Sequence, residues 1–79
     1  MSRYIMKSGH LEFHYGYNEQ IGEYWYCVYD KSRKMINNGL IDQGGSKTTG
    51  MPTIVLAEKC KQFKAPIEHI QKILWMRKI

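Results

Sequence analysis

The spacing of apolar side chains changes character once along this chain, from strand-like segments up to residue 42 to a helical period from residue 52 onward. The densest apolar stretch is Glu23-Tyr24-Trp25-Tyr26-Cys27-Val28-Tyr29-Asp30, six consecutive apolar or aromatic residues between two acids. Trp, Tyr and Val favour a pleated strand. Without polar alternation both faces are expected to meet other protein, Tyr24, Tyr26 and Val28 on one side and Trp25, Cys27 and Tyr29 on the other. That predicts an interior strand.

Residues 3–7 predict a short first strand closed by Ser8-Gly9. In the stretch from His10 to Tyr17, alternation puts Leu11, Phe13, Tyr15 and Tyr17 on one face and His10, Glu12 and His14 on the other, the pattern of a half-buried strand. Asn18 to Gly22 supply the turn back. After Asp30 the polar residues 31–34 predict another turn, and Met35-Ile36 begins a short strand. Asn38-Gly39 tolerates positive φ at both positions. Either Met35-Ile36 pairs with Leu40-Ile41 across it, or residues 37–39 bulge out of one longer edge strand. Residues 43–51, with three glycines, read as a flexible loop.

Beyond Pro52, Leu56, Ala57, Cys60 and Phe63 fall at i, i+1, i+4 and i+7, the inward stripe of an amphipathic helix, with Glu58, Lys59, Lys61 and Gln62 mostly outside. Ala65-Pro66 ends it. Pro66 opens a second helix with Ile67, Ile70, Ile73 and Leu74 as its buried stripe and Trp75 and Met76 outside that stripe. Glu68 suits the positive N-terminal end of this helix, and Lys72, Arg77 and Lys78 suit the negative C-terminal end. The expected architecture is a single α+β domain, an antiparallel β-sheet meander of three to five strands (1–42) followed by two C-terminal helices packed on one face (52–79). The second face of the central strand is then either wrapped by the helices or left open to bind something.

At 79 residues the core must be efficient, and ten aromatics, each able to bury about 150–250 Å², allow it. No stretch approaches the roughly 18–20 apolar residues that span a bilayer, and residues 1–7 hold no signal-peptide core, so a cytoplasmic protein without membrane contact is expected. Cys27 and Cys60 read as buried thiols of a reducing compartment, a single strand-to-helix disulfide being the alternative. Net charge is +5, and its distribution says more than its size. Residues 1–45 carry five basic and five acidic side chains, whereas residues 46–79 carry seven basic and two acidic ones. Such asymmetry points to an anionic partner, nucleic acid or an acidic protein face.

His10-x-Glu12-x-His14 would share one strand face, spaced about 6.5–7 Å apart, a weak candidate for a metal that lacks a third or fourth ligand; a solvated polar face is the ordinary meaning of such a pattern. Gly45, Ser46 and Lys47 lie in a loop whose backbone N–H groups can cradle a phosphate, although the order of a Walker loop is missing. Ser2, Ser8, Ser32 and Ser46 lie outside any nucleophile elbow, and Asp30 and Asp42 read as turn residues, so no catalytic assembly and no cofactor is expected.

The stretch Ser8-Gly9-His10-Leu11-Glu12-Phe13-His14-Tyr15-Gly16-Tyr17, running into Gly22-Glu23-Tyr24-Trp25-Tyr26-Cys27-Val28-Tyr29-Asp30, resembles short bacterial proteins of mobile-element neighbourhoods. The resemblance implies no catalytic residues. In size and style the chain is similar to phage or plasmid accessory proteins, among which anti-CRISPR inhibitors are one case. The expected function is a non-enzymatic binding module that docks on a protein or nucleoprotein partner through Lys59, Lys61, Lys64, Lys72, Trp75, Arg77 and Lys78, with homodimerisation the simplest version of protein binding. Direct nucleic-acid binding by the basic helices is the alternative, and a metal-dependent protein using His10, Glu12 and His14 is the second alternative.

Overall fold

The computed structural model describes residues 3–33 and 37–79. Strands β1 (Tyr4–Ser8), β2 (Leu11–Asn18), β3 (Glu23–Asp30) and β4 (Leu40–Gly45) form an antiparallel sheet in the order β1-β2-β3-β4, followed by helices α1 (Thr53–Gln62) and α2 (Ile67–Leu74). The aromatic run is the interior strand β3, paired with β2 from Asn18↔Glu23 to Leu11↔Asp30 and with β4 on its other edge. Asn38 and Gly39 take the expected positive φ, 57° and 85°, in a tight turn that delivers the chain into β4, where Leu40 pairs with Tyr29. A Cβ on Gly39 would overlap the carbonyls of Asp30 and Arg33, so the turn also needs a residue without a side chain. Met35 and Ile36, expected as a short strand, lie outside the described residues. Val28 faces Asp42 while Tyr29 faces Leu40, which leaves Ile41 as an extra residue in β4.

Alternation does what the sequence requires of it on one side of the sheet. Phe13, Tyr15, Tyr24, Tyr26 and Val28 point to the helices and are buried with Leu56, Ala57, Cys60 and Phe63 of the α1 segment and Ile70 and Ile73 of α2. Phe13 stacks on Phe63 at 4.8 Å between ring centroids and on Tyr15 at 5.0 Å. On the opposite side the open alternative is realised rather than the wrapped one. Trp25, Cys27 and Tyr29 meet no helix and are only half-buried, because two short helices that follow the sheet in sequence pack as one layer on one face.

Three buried tyrosines beneath that layer each bond a different segment. Tyr15 Oη is bonded to His69 Nδ1 at 2.6 Å, Tyr24 Oη donates to the Arg77 carbonyl at 2.6 Å, and Tyr26 Oη donates to Asp42 Oδ2 at 3.0 Å. His69 also packs on the Tyr4 ring, 4.3 Å away. It thereby joins Ile70 and Ile73 on the buried side of α2 and swings that side away from Ile67 and Leu74. Those two residues, expected in the buried stripe, are 60% and 40% exposed.

Both helices close in the same way. Ala65 N–H bonds the Cys60 carbonyl and Lys64 N–H the Lys61 carbonyl; Arg77 N–H bonds the Lys72 carbonyl and Met76 N–H the Ile73 carbonyl. This Schellman geometry puts Lys64 (φ 59°) and Met76 (φ 56°) in the left-handed region, where glycine is the usual occupant. Cys60 is wholly buried among the helices, its thiol pushed up to about 12 by burial, while Cys27 lies on the helix-free face. Both thiols are free and sit on opposite sides of the sheet, so the alternative of a disulfide is not realised.

Two outcomes follow from this packing. Lys64→Gly should raise unfolding free energy by about 1 kcal/mol in urea titrations, since the left-handed conformation costs a side chain roughly 1–2 kcal/mol. Burial, then the nearby Lys72 charge, holds His69 below its ordinary value of 6.5. The unfolded chain therefore takes up a proton that the folded state resists, and stability present above pH 6.5 is lost as pH falls from there toward the folded value. Thermal melts of wild type and His69→Gln across pH 5 to 8 should show that slope in the former and a flatter profile in the latter.

Candidate binding surfaces

The basic side chains of the last third meet different fates. Lys59 Nζ lies 2.9 Å from Asp42 Oδ2, the oxygen that also accepts from Tyr26, and 5.7 Å from the Tyr26 ring centroid. Burial raises the Asp42 carboxyl, but the Lys59 and Tyr26 bonds outweigh it and the net shift is downward; burial and that same bond push the Tyr26 hydroxyl up to about 12. Asp42 is thus a strand residue that ties α1 to β3 and β4 at the edge of the sheet, where a turn residue was expected, and Lys59 is engaged by the fold. Lys61 pairs with Glu58 at 3.8 Å and Lys78 with Glu19 at 3.9 Å, both on the surface, where such pairs contribute little. Lys64 and Lys72 are exposed at the ends of α1 and α2. Arg77 lies 5.9 Å from the Trp75 ring. Among the described residues Trp75 and Met76 are the most exposed large apolar ones, at 68% and 72%.

Gly45, Ser46 and Lys47, the expected phosphate cradle, surround an anion that belongs to the protein. Glu23 Oε1 accepts from the N–H of Lys47 at 3.1 Å and of Thr48 at 2.6 Å, and Oε2 accepts from the Thr48 hydroxyl at 3.0 Å. These bonds, the Thr48 N–H first, hold the Glu23 carboxyl below its usual range. A Cβ on Gly45 would overlap that carboxylate. Ser46 exchanges two hydrogen bonds with the Tyr24 backbone, and Thr49 bonds back to Gly45. The stretch expected as a flexible loop therefore completes β4 and folds as a hydrogen-bonded turn, its donors already occupied.

His10, Glu12 and His14 do not converge. His10 turns to Asp30 at 3.8 Å, whereas His14 Nε2 donates to Glu12 Oε1 at 3.1 Å, the bond that chiefly holds the Glu12 carboxyl down. Among the described residues no three His, Cys, Asp or Glu side chains gather to hold a metal ion. Asp30 accepts the N–H and hydroxyl of Ser32 at 2.9 and 2.6 Å and serves the turn, as expected.

The helix-free face is the one the sequence left open to bind something, although Trp25, Tyr29, Arg3 and Lys31 were not named among the expected site residues. It presents Trp25 and Tyr29 of β3 with a cation over each, Arg3 at 5.2 Å from the Trp25 ring and Lys31 at 5.2 Å from the Tyr29 ring. Lys31 also lies 3.8 Å from Glu12. Arg3, His14, Tyr29, Lys31 and Asn38 line an open groove of about 360 Å³. The available signal was arithmetic: two helices cannot cover both faces of a four-stranded sheet, so three aromatic or thiol side chains of the central strand had to remain partly open.

Comparison with protein-family models, curated proteins and solved structures finds no match for the chain. Among the described residues no helix is long and apolar enough to cross a membrane.

Replacing Glu23 by Ala orphans the Lys47 and Thr48 amides and should cost about 1–3 kcal/mol in chemical denaturation. Because the folded carboxyl titrates below its ordinary value of 4.5, that contribution is present above pH 4.5 and disappears as pH falls through the folded value, so wild type and Glu23→Ala should converge in acid.

Proposed function

We propose that the chain is a non-enzymatic binding domain that docks on a protein or nucleoprotein partner through the end of α2, with Trp75 and Met76 entering an apolar groove whose rim is acidic. The observation that carries this reading is the exposed patch of Ile67, Leu74, Trp75 and Met76, at 60, 40, 68 and 72%, beside Lys72, Arg77 and Lys78. Ile67, Leu74 and Trp75 fall at i, i+7 and i+8 and so share one side of the helix. Aromatic, Met and Arg side chains are the composition enriched at interface centres, and the surrounding cations supply the complement of an acidic rim. Glu12, Glu23, Asp30 and Asp42 each serve a hydrogen bond or ion pair of the fold, which supports binding over catalysis. An accessory or inhibitor protein of a phage or plasmid, the setting suggested by residues 8–17 and 22–30, is where we place such a domain.

The test combines light scattering on the purified protein with capture from nuclease-treated extract and photocrosslinking from position 75. Wild type should be monomeric, and one protein should be retained and crosslinked through an acidic, apolar segment. Trp75→Ala should weaken its retention by about 30-fold, the effect of losing a binding hot spot. Equal retention by the variant, or a wild-type homodimer that Trp75→Ala turns into monomer, would overturn the reading, the latter because a second copy covers the patch.

A further inference from the structure

We propose that the helix-free face of the sheet binds single-stranded nucleic acid, with bases stacked on Trp25 and Tyr29 and phosphates held by Arg3, Lys7 and Lys31. The face lies on the opposite side of the sheet from the helices, so this site is independent of the α2 patch.

The placement follows from strand register. Ile5, His14, Cys27 and Gln43 form one row across the four strands, Lys7, Glu12 and Tyr29 the next on one side, and Gly16, Trp25 and Gly45 the next on the other. Trp25 and Tyr29 are four residues apart on the central strand, about 13 Å at the usual strand rise, with Cys27 between them. Bases stack on such rings regardless of sequence because every base offers a flat face. Gly16 opposite Trp25 puts no side chain beside the indole on that strand.

Charge favours an anionic chain over a protein surface. Arg3, Lys7 and Lys31 stand on or beside this face; Arg3 and Lys31 lie over the two rings, so a base that stacks on either ring displaces the cation from it, and the long side chain can then turn to the phosphate of that nucleotide. Two acids share the face, and both are internally compensated: Glu12 by His14 at 3.1 Å and Lys31 at 3.8 Å, Glu23 by the amides of Lys47 and Thr48. Two buried polar atoms here have no partner among the described residues, the Trp25 indole Nε1 and His14 Nδ1. With His14 Nε2 donating to Glu12, Nδ1 is left as an acceptor in the lining of the 360 Å³ groove, beside Tyr29 and Lys31. Both atoms are closed off from solvent, so a base edge reaches them only if the rings shift as the base stacks. The face recognises base planes and phosphates, which RNA and DNA share, whereas a duplex hides its base planes.

The experiment is fluorescence anisotropy with labelled oligothymidine and oligouridine strands and a duplex of equal length, read on the full chain. At least one single strand should bind, and the duplex should bind at least about tenfold more weakly. Three phosphate contacts give a log–log salt slope of about −2, and Lys31→Glu should reduce it by about 0.7. Tyr29→Ala should weaken binding by about 5- to 150-fold. Arg3→Glu and Lys31→Glu alter exposed groups, so they keep the proposal falsifiable should Tyr29→Ala fail to fold. In a Trp75→Phe background the remaining indole is Trp25, and its emission should be quenched on binding. No binding by either strand, a flat salt response, unquenched Trp25, or loss of binding by Lys61→Glu with Lys72→Glu but not by Arg3→Glu with Lys31→Glu would each overturn the assignment.

Discussion

A phenol buried beneath a helix must find a hydrogen-bond partner, and this fold meets that constraint three times. An unsatisfied buried hydroxyl costs about 1–3 kcal/mol, a large share of what a domain of this size has to spare. Tyr15, Tyr24 and Tyr26 lie on one face of the sheet, and their hydroxyls reach His69 on α2, the backbone at Arg77, and Asp42 on β4. Asp42 in turn holds Lys59 of α1. β4, α1, α2 and the backbone at Arg77 are thus each held by a tyrosine or by the partner of one. Hydrophobic burial is indifferent to direction; the phenols add the direction, and with it a single way for two short helices to lie.

The same economy governs charge. The formal excess lies in residues 46–79, yet part of it is consumed at home: Lys59 by Asp42, Lys61 by Glu58 and Lys78 by Glu19. The glycine-rich turn after β4 likewise spends its amides on Glu23, so it is a stabilised corner of the sheet. What remains for recognition sits in two places, the aromatic and basic end of α2 and the cation-covered rings of the open sheet face. Opposite faces of one thin domain then offer different chemistry.

The legible part of this fold was the part set by periodicity. The strand faces of residues 11–17, the interior strand at 23–30 and the stripe Leu56, Ala57, Cys60 and Phe63 follow from apolar spacing alone, because each pattern has one geometry that buries it. Long-range polar partners were not legible. Nothing in spacing says that Glu23 answers Thr48, or that Asp42 is shared between Tyr26 and Lys59. The margin of α2 was misread for the same reason: His69, left out of the expected stripe, belongs to the buried side because Tyr15 supplies a partner, while Ile67 and Leu74 face outward. Trp25 and Tyr29 were placed correctly on their strand, but a run apolar on both sides cannot say which side meets the helices.

The two thiols divide the molecule in a way that makes it its own reporter. Cys60 is sealed under the helices with a thiol that ordinary alkaline conditions do not ionise, while Cys27 stands half-buried between Trp25 and Tyr29. A small alkylating reagent can therefore read two separate events in one reaction vessel. Adduct at residue 27 reads the accessibility of the open sheet face, and adduct at residue 60 counts the moments when the helical layer lifts.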